Sequence, residues 1–302
     1  MNIGILTIND FSFHPNLRLQ QAAFEQDHKI ILINPYKLLS TLKNNEFNFF
    51  IEDMSHKPDV ILPRQGSPMG DYGLALLRQF SQMGIPLVNG LEGVTITRNQ
   101  YITLQALACK GIPVPTSCFI TEKLKFLKAV EFLGGYPVVV KQVDGMGGDG
   151  VIRVGRPEDA GSFLNQHLKE RKGMIVQEFI PPEGRMDIRL LVIGNTVVGA
   201  MKLAPVKKDF RANINQNGRA EGIEPSSLWI KLAVDAAKAC CLEIAGVDMI
   251  IEKGCPPRII EVNYSPGFKG LESATGLDIA RKIIEYVSLN YNINNKLENK
   301  NL

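Results

Sequence analysis

The strongest constraint on how this chain folds is a pair of apolar runs near its C-terminus, residues 247–252 and 258–263, joined by Lys253-Gly254-Cys255-Pro256-Pro257. Run length and turn residues predict a β-hairpin. Asp248, Glu261 and Asn263 stand inside these runs among Val247, Met249, Ile250, Ile251, Ile259, Ile260 and Val262, so both faces read as buried. Such side chains are normally kept out of apolar surroundings, and buried carboxylates need a cation. Hard divalent ions accept this donor chemistry, with phosphate oxygens completing the shell. The hairpin therefore reads as a metal site beside a phosphate-bearing ligand. Glu261 and Asn263 alternate and face the same side. Asp248 joins them in only one of two registers, because a one-residue slip turns every side chain over. The competing reading is a half-exposed hairpin with its polar residues outward.

The chain has 302 residues, enough for two or three domains. Its 45% hydrophobic and 22% charged content is ordinary for a globular protein, and a net charge of +3 makes no general case for a nucleic-acid partner. Five scattered cysteines, with no Cys-x-x-Cys, fit a reducing compartment, and four distant histidines form no zinc pattern. No apolar stretch reaches the ~18 residues of a membrane span. The opening Met1-Asn2-Ile3-Gly4-Ile5-Leu6 reads as a strand without the charged start of a signal peptide, so the expected location is the cytoplasm.

Residues 1–93 alternate strand and helix signals: strands over 3–8, 30–33, 60–62 and 86–89, helices over 15–27 and 71–83. This order argues a doubly wound parallel sheet, an α/β domain. A helix is expected over 97–110, ending at Gly111. The pattern then becomes α+β. Strands are expected over 136–142, 151–154 and 174–180, and helices near 122–132 and 157–169. A hairpin over 186–202 turns at Gly194-Asn195, and a helix capped by Ser226 runs to about Glu243. A closing helix covers 277–289, and 291–302 reads as a tail. Segment 203–225 shows no period, which in a domain marks a functional or disordered loop.

Gly145-Met146-Gly147-Gly148-Asp149-Gly150 matches G-x-G-x-x-G, yet a strand follows it where a dinucleotide fingerprint needs a helix. It is either a plain hairpin loop or a glycine loop whose backbone N–H groups, at Gly147 and Gly148 among others, cover phosphates. Lys141 ends the apolar run before it, as a snorkelling lysine or as a fixed charge on a polyphosphate. Asp187 and Arg189 alternate on one strand face, which is either exposed or meets a site. Lys208-Asp209-Phe210-Arg211-Ala212-Asn213 offers Arg211 and Asn213 to a phosphate or carboxylate. Ser265-Pro266-Gly267-Phe268-Lys269-Gly270 is a tight loop beside the proposed metal, serving substrate or only a turn.

In order, Lys141 and the glycine loop, Val176-Gln177-Glu178-Phe179-Ile180, Asp187-Ile188-Arg189-Leu190-Leu191-Val192, Asp209-Phe210-Arg211-Ala212-Asn213, Ala245-Gly246-Val247-Asp248 and Ile260-Glu261-Val262-Asn263-Tyr264-Ser265-Pro266-Gly267-Phe268 resemble the ATP-grasp superfamily, specifically RimK-type α-L-glutamate ligases, to about residue 290. The resemblance implies an ATP-grasp fold: the N-terminal domain, 1–93, and an ATP-grasp domain, 94–290, whose two α+β subdomains clamp ATP. Of these, 136–180 contains the glycine-loop lid and 185–290 the metal and phosphate groups. It implies an ATP-dependent carboxylate–amine ligase working through an acyl phosphate. Lys141 and Arg211 would be catalytic. Lys141, Gly147, Gly148, Gln177 and Ile180 would belong to the nucleotide site, with backbone groups of Glu178 and Phe179 at the adenine edge. Asp187 would hold the ribose and Arg189 would lie alongside. Arg211 and Asn213 would bind phosphate and the reacting carboxylate, and Asp248, Glu261 and Asn263 two Mg²⁺ or Mn²⁺ ions.

The implied substrates are L-glutamate and a carboxylate acceptor, a ribosomal-protein C-terminus or a small peptide, in a homo-oligomeric enzyme. Two positions depart from the family pattern. Gln100 replaces a lysine directed to the nucleotide, and Ala200-Met201-Lys202-Leu203 has one basic residue where two arginines are usual. These leave open a small-molecule or cofactor acceptor, or a non-catalytic nucleotide-binding regulatory module.

Overall fold

The alternating N-terminal segments form the expected parallel sheet. β1 (Asn2–Leu6), α1 (His14–Phe24), β2 (Lys29–Ile33), β3 (Leu38–Lys43), β4 (Glu46–Ile51), β5 (Val60–Pro63), α2 (Gly70–Gln82) and α3 (Leu91–Thr97) follow in order. The sheet runs β2-β1-β5, both pairs parallel. The strand expected over 86–89 is reduced to one parallel bridge, Ile61 to Leu87. The β3–β4 hairpin was not foreseen; it turns at Asn44-Asn45, both at positive φ (53° and 65°) as a two-residue hairpin turn needs. This computed structural model describes residues 1–51, 57–64, 70–145, 150–169, 172–204 and 219–292.

The helix expected over 97–110 is α4 (Gln100–Ala108), and α3 before it was not foreseen. Asn99 separates them: its side-chain oxygen accepts from the N–H groups of Tyr101 and Ile102 (3.0 and 3.2 Å) and so starts a new helix. β6 (Ser117–Ile120), α5 (Phe126–Phe132), β7 (Val138–Gln142), β8 (Val151–Val154), α6 (Pro157–Leu168) and β9 (Met174–Glu178) then build an antiparallel sheet in the order β6-β9-β7-β8. β6 was not expected as a strand and extends this sheet beyond 136–180. Residues from α5 and α6 join Val138, Val140, Val154, Met174 and Val176 in a core on one face. Alternation puts Val139 and Lys141 on the other face, where Val139 pairs with Gln177.

β10 (Arg185–Ile193), β11 (Thr196–Ala204), β12 (Arg219–Gly222), α7 (Ser227–Ala239), β13 (Ile244–Glu252), β14 (Arg258–Asn263), α8 (Lys269–Thr275) and α9 (Ile279–Tyr291) complete the described chain. Their antiparallel sheet has the order β12-β11-β10-β13-β14. Ile188, Leu190, Val192, Val247, Met249, Ile259 and Val262 share a core with the alanines of α7. On the opposite face Leu191, Ile193 and Ile244 join α8, α9, α1 and the N-terminal strands in a second core. The first part of that face carries the polar residues instead. β12 lies in the segment read as a loop, and the end of the tight loop read from Ser265 onward is the start of α8.

Candidate active site

Registers across three strands decide the geometry. Arg189 pairs with Asp248, and Asp248 pairs with Glu261, so the three stand in one row across β10, β13 and β14. Of the two registers open to the hairpin, this is the one that gathers the acids. Gly246 pairs with Asn263, which puts Asn263 on the same face two residues along. A bulge after Asp248 absorbs Ile260, and Ile259 returns to the apolar side.

Two like charges directly opposite on adjacent strands repel. In this structure Arg189 answers for Asp248: its Nε and Nη2 donate to the two carboxylate oxygens at 2.6 and 2.5 Å. Burial opposes the Arg189 charge, but Asp248 outweighs it and holds the guanidinium above its ordinary value. Burial raises the Glu261 carboxyl, and Asp248 raises it further; Arg189, Lys141 and a hydrogen bond with Asn263 work against them. Lys141 reaches the row from the other sheet. Burial pushes its ammonium down to about 8, while Glu261 supports the charge and Arg185 opposes it. An acid pair on one sheet thus stands within electrostatic range of a lysine on the other.

Asp187 is 7% exposed, and the Arg185 Nε donates to it at 3.0 Å. Burial raises the Asp187 carboxyl, with Arg185 opposing. Arg185 also bonds the carbonyl of Ile180. Sequence reasoning missed Arg185, although it alternates with Asp187 and Arg189 in the same run.

The segment between the sheets is tied down by its own side chains. Gln177 Nε2 donates to Ser117 Oγ at 2.8 Å. The Glu178 N–H donates to the Thr116 carbonyl at 3.0 Å, and the Glu178 carboxylate accepts from Thr116 N–H (2.6 Å) and Arg258 Nη1 (2.8 Å). Of the two residues expected to present backbone to an adenine edge, Glu178 therefore has its N–H committed to Thr116. The Arg153 guanidinium lies over the Phe179 ring, 4.9 Å from its centre. Gly147, Gly148, Arg211 and Asn213 lie outside the described residues.

The two departures can be placed. The Gln100 N–H donates to the Val143 carbonyl at 2.7 Å, so this position does border the lysine strand. On β11, Met201 pairs with Arg189, whereas Lys202 pairs with Ile188 and Glu221. Met201, and not Lys202, is therefore on the face of the acid row.

The donor set fits a divalent ion. The buried carboxylate of Asp248, the half-buried one of Glu261 and the Asn263 amide share a face, and no cluster of three or more His, Cys, Asp or Glu side chains occurs among the described residues. Such a partial set suits an ion that takes its remaining oxygens from phosphates and water.

A parallel N-terminal sheet followed by one antiparallel sheet that carries a lysine and another that carries an acid pair agrees with an ATP-grasp fold. Residues 97–287 match the RimK-like ATP-grasp domain family and residues 1–94 the RimK PreATP-grasp domain family. A protein of Shewanella frigidimarina named "Probable alpha-L-glutamate ligase 1" is 33% identical over 291 residues, 96% of each chain. Among solved structures, a RimK domain ATP-grasp protein from Sphaerobacter thermophilus superposes with a TM-score of 0.74 at 20% identity, over 95% of this chain and 99% of that one. D-alanine–D-alanine ligase from Bacillus anthracis, complexed with ATP, gives 0.73 at 20% identity over 99% of both. The chain belongs to the RimK family of ATP-grasp proteins and is an ATP-dependent ligase of the C–N bond-forming type. No helix among the described residues is long and apolar enough to cross a membrane.

Proposed function

We propose that this enzyme joins L-glutamate to the terminal carboxylate of a peptide or protein acceptor, with Mg²⁺ or Mn²⁺ and ATP. The observation that carries this reading is the Asp248–Glu261 pair within electrostatic range of Lys141. An oxygen of the acceptor carboxylate attacks the γ-phosphorus of ATP, and ADP leaves. The glutamate amine then attacks the acyl carbon, and inorganic phosphate departs. Asp248, Glu261 and Asn263 would hold two divalent ions, which when bound neutralise charge on the phosphates.

Lys141 places a fixed positive charge on the triphosphate from the lid sheet. On nucleotide binding Arg189 orients Asp248, and Arg185 orients Asp187, which faces the ribose. Arg211 and Asn213 are assigned to the transferred phosphoryl and the reacting carboxylate. Little covalent chemistry falls to the protein, so the rate comes from positioning and charge stabilisation. The lid sheet keeps water from the acyl phosphate. Five free cysteines, three of them exposed, agree with work in a reducing cytoplasm.

The test is mass spectrometry of products from ATP, Mg²⁺, L-glutamate and a panel of peptides ending in a carboxylate, with wild type and Glu261→Gln. Wild type adds one or more glutamyl units and releases ADP. Glu261→Gln lowers turnover by roughly two to four orders of magnitude, the scale of losing a transition-state charge partner. Equal turnover in the variant, or ADP release that no carboxylate–amine pair stimulates, contradicts the reading.

A further inference from the structure

We propose that Arg64 anchors a substrate carboxylate, one distinct from the carboxylate that ATP activates, in a crevice at the carboxyl edge of the N-terminal sheet. The proposal rests on the ligase reading above for the identity of that substrate. It stands on a cation that no carboxylate among the described residues pairs with.

Strand order puts Arg64 at a favourable place. From β1 the chain passes through α1 to β2 on one side, and β5 lies on the other. The carboxyl ends of β1 and β5 thus form a switch point, where open α/β sheets bind ligands. Arg64 directly follows β5, and its N–H donates to the Leu6 carbonyl at 3.0 Å, so it stands at the end of both strands.

The guanidinium is underused there. Nη2 donates to the Pro266 carbonyl at 2.7 Å, and the group lies over the Phe268 ring, 5.6 Å from its centre. Nε is sealed from solvent with no hydrogen-bond partner. A guanidinium has five N–H donors, and leaving a buried one unmade is costly. The partly buried Arg18, Arg185, Arg189 and Arg258 each hold one or two carboxylates. Among the described residues no carboxylate forms an ion pair with Arg64. Burial lowers it to about 10, so it is charged at neutral pH.

Further unmet groups stand at the start of α1, one of them beside the same Phe268 ring. His14 Nδ1 and Asn16 Oδ1, at the start of α1, are also buried without partners. The His14 ring meets Phe268 edge-on at 6.0 Å, so Arg64 and His14 share that ring as a wall.

The crevice also adjoins the acid row. Pro266 packs so closely on Gly246 that a Cβ there would lie 2.8 Å from it, and Gly246 is the strand partner of Asn263. Only the Pro266 turn separates Arg64 from the metal-side hairpin. Joining an amino acid to an acceptor leaves at least one carboxylate that does not react. The planar guanidinium fork fits such a group in two parallel hydrogen bonds.

The experiment is calorimetric binding to the full chain, with Mg²⁺ and a non-hydrolysable ATP analogue present, for wild type, Arg64→Gln and Arg64→Lys. The probes are L-glutamate, its α-amide, its γ-amide and a peptide ending in glutamate. Loss of a bidentate charged partner is expected to weaken one carboxylate probe by at least ~tenfold in Arg64→Gln, with Arg64→Lys between, and the ATP analogue within about twofold. The amide whose disadvantage against L-glutamate vanishes in Arg64→Gln identifies the carboxylate held. A loss confined to the peptide assigns the subsite to the acceptor. Unchanged affinity for every probe, or an equal loss for the nucleotide, overturns the proposal, as does a wild type that binds none of the probes. If Arg64→Gln does not fold, Arg64→Lys carries the same comparison. Arg64-dependent binding without any turnover overturns only the ligase reading.

Discussion

Lys141 is charged at a cost that the ligand-free protein does not recover. Its value of about 8 lies below the ordinary 10.5, because burial outweighs the help of Glu261. The sign of the linkage follows. Below about pH 8 the folded state bears the full cost of the buried charge. As pH rises from there the cost declines, and it is gone at the ordinary lysine value. Lys141→Met is therefore expected to raise the unfolding midpoint of the ligand-free protein at neutral pH, with the gain shrinking as pH climbs from 8 towards 10. The same variant loses most of the stabilisation that Mg-ATP gives wild type. Thermal unfolding across pH, with and without nucleotide, checks both; a variant less stable at neutral pH contradicts the account. At this scale Lys141, Asp248 and Glu261 were legible because each is charged within an apolar run or at its end. Arg64 was not, because an arginine after a strand looks like any solvated residue until Pro266 and Phe268 fold over it.

Elements carry these residues into place through contacts that pattern does not reveal. Asn89 shows how. Its side chain donates to the carbonyls of Ile244 and Tyr264 (both 2.7 Å) and accepts from the N–H groups of Glu243 and Ile244 (2.7 and 2.8 Å). One buried amide thus staples the N-terminal domain to the start of β13 and the end of β14. Asn89→Ala leaves four buried backbone groups unpaired and is expected to destabilise the protein by about 3–5 kcal/mol, read from denaturant unfolding. A change under about 1 kcal/mol would mean the staple is replaceable by water. The parallel sheet and the β10–β11 and β13–β14 hairpins were legible because periodicity reports burial directly. The β13–β14 register was not, since alternation fits two registers equally and only pairing to β10 selects one. β12 and β6 were missed for a similar reason: each is four residues long and is held by a neighbour, not by its own pattern.

For the whole molecule, core continuity separates two bodies. The N-terminal sheet, the five-stranded sheet, α7 and α9 share two cores, whereas the β6-β9-β7-β8 sheet has one of its own with α5 and α6. Arg258 bridges the two bodies, holding Glu178 of β9 and Glu252 of β13. In the proposed reaction ATP activates a carboxylate as an acyl phosphate. Heavy-oxygen label followed from the acceptor carboxylate during turnover with ATP, Mg²⁺ and L-glutamate tests this step. One labelled oxygen is expected in each inorganic phosphate released; label confined to the product, or found in AMP, rules the acyl phosphate out.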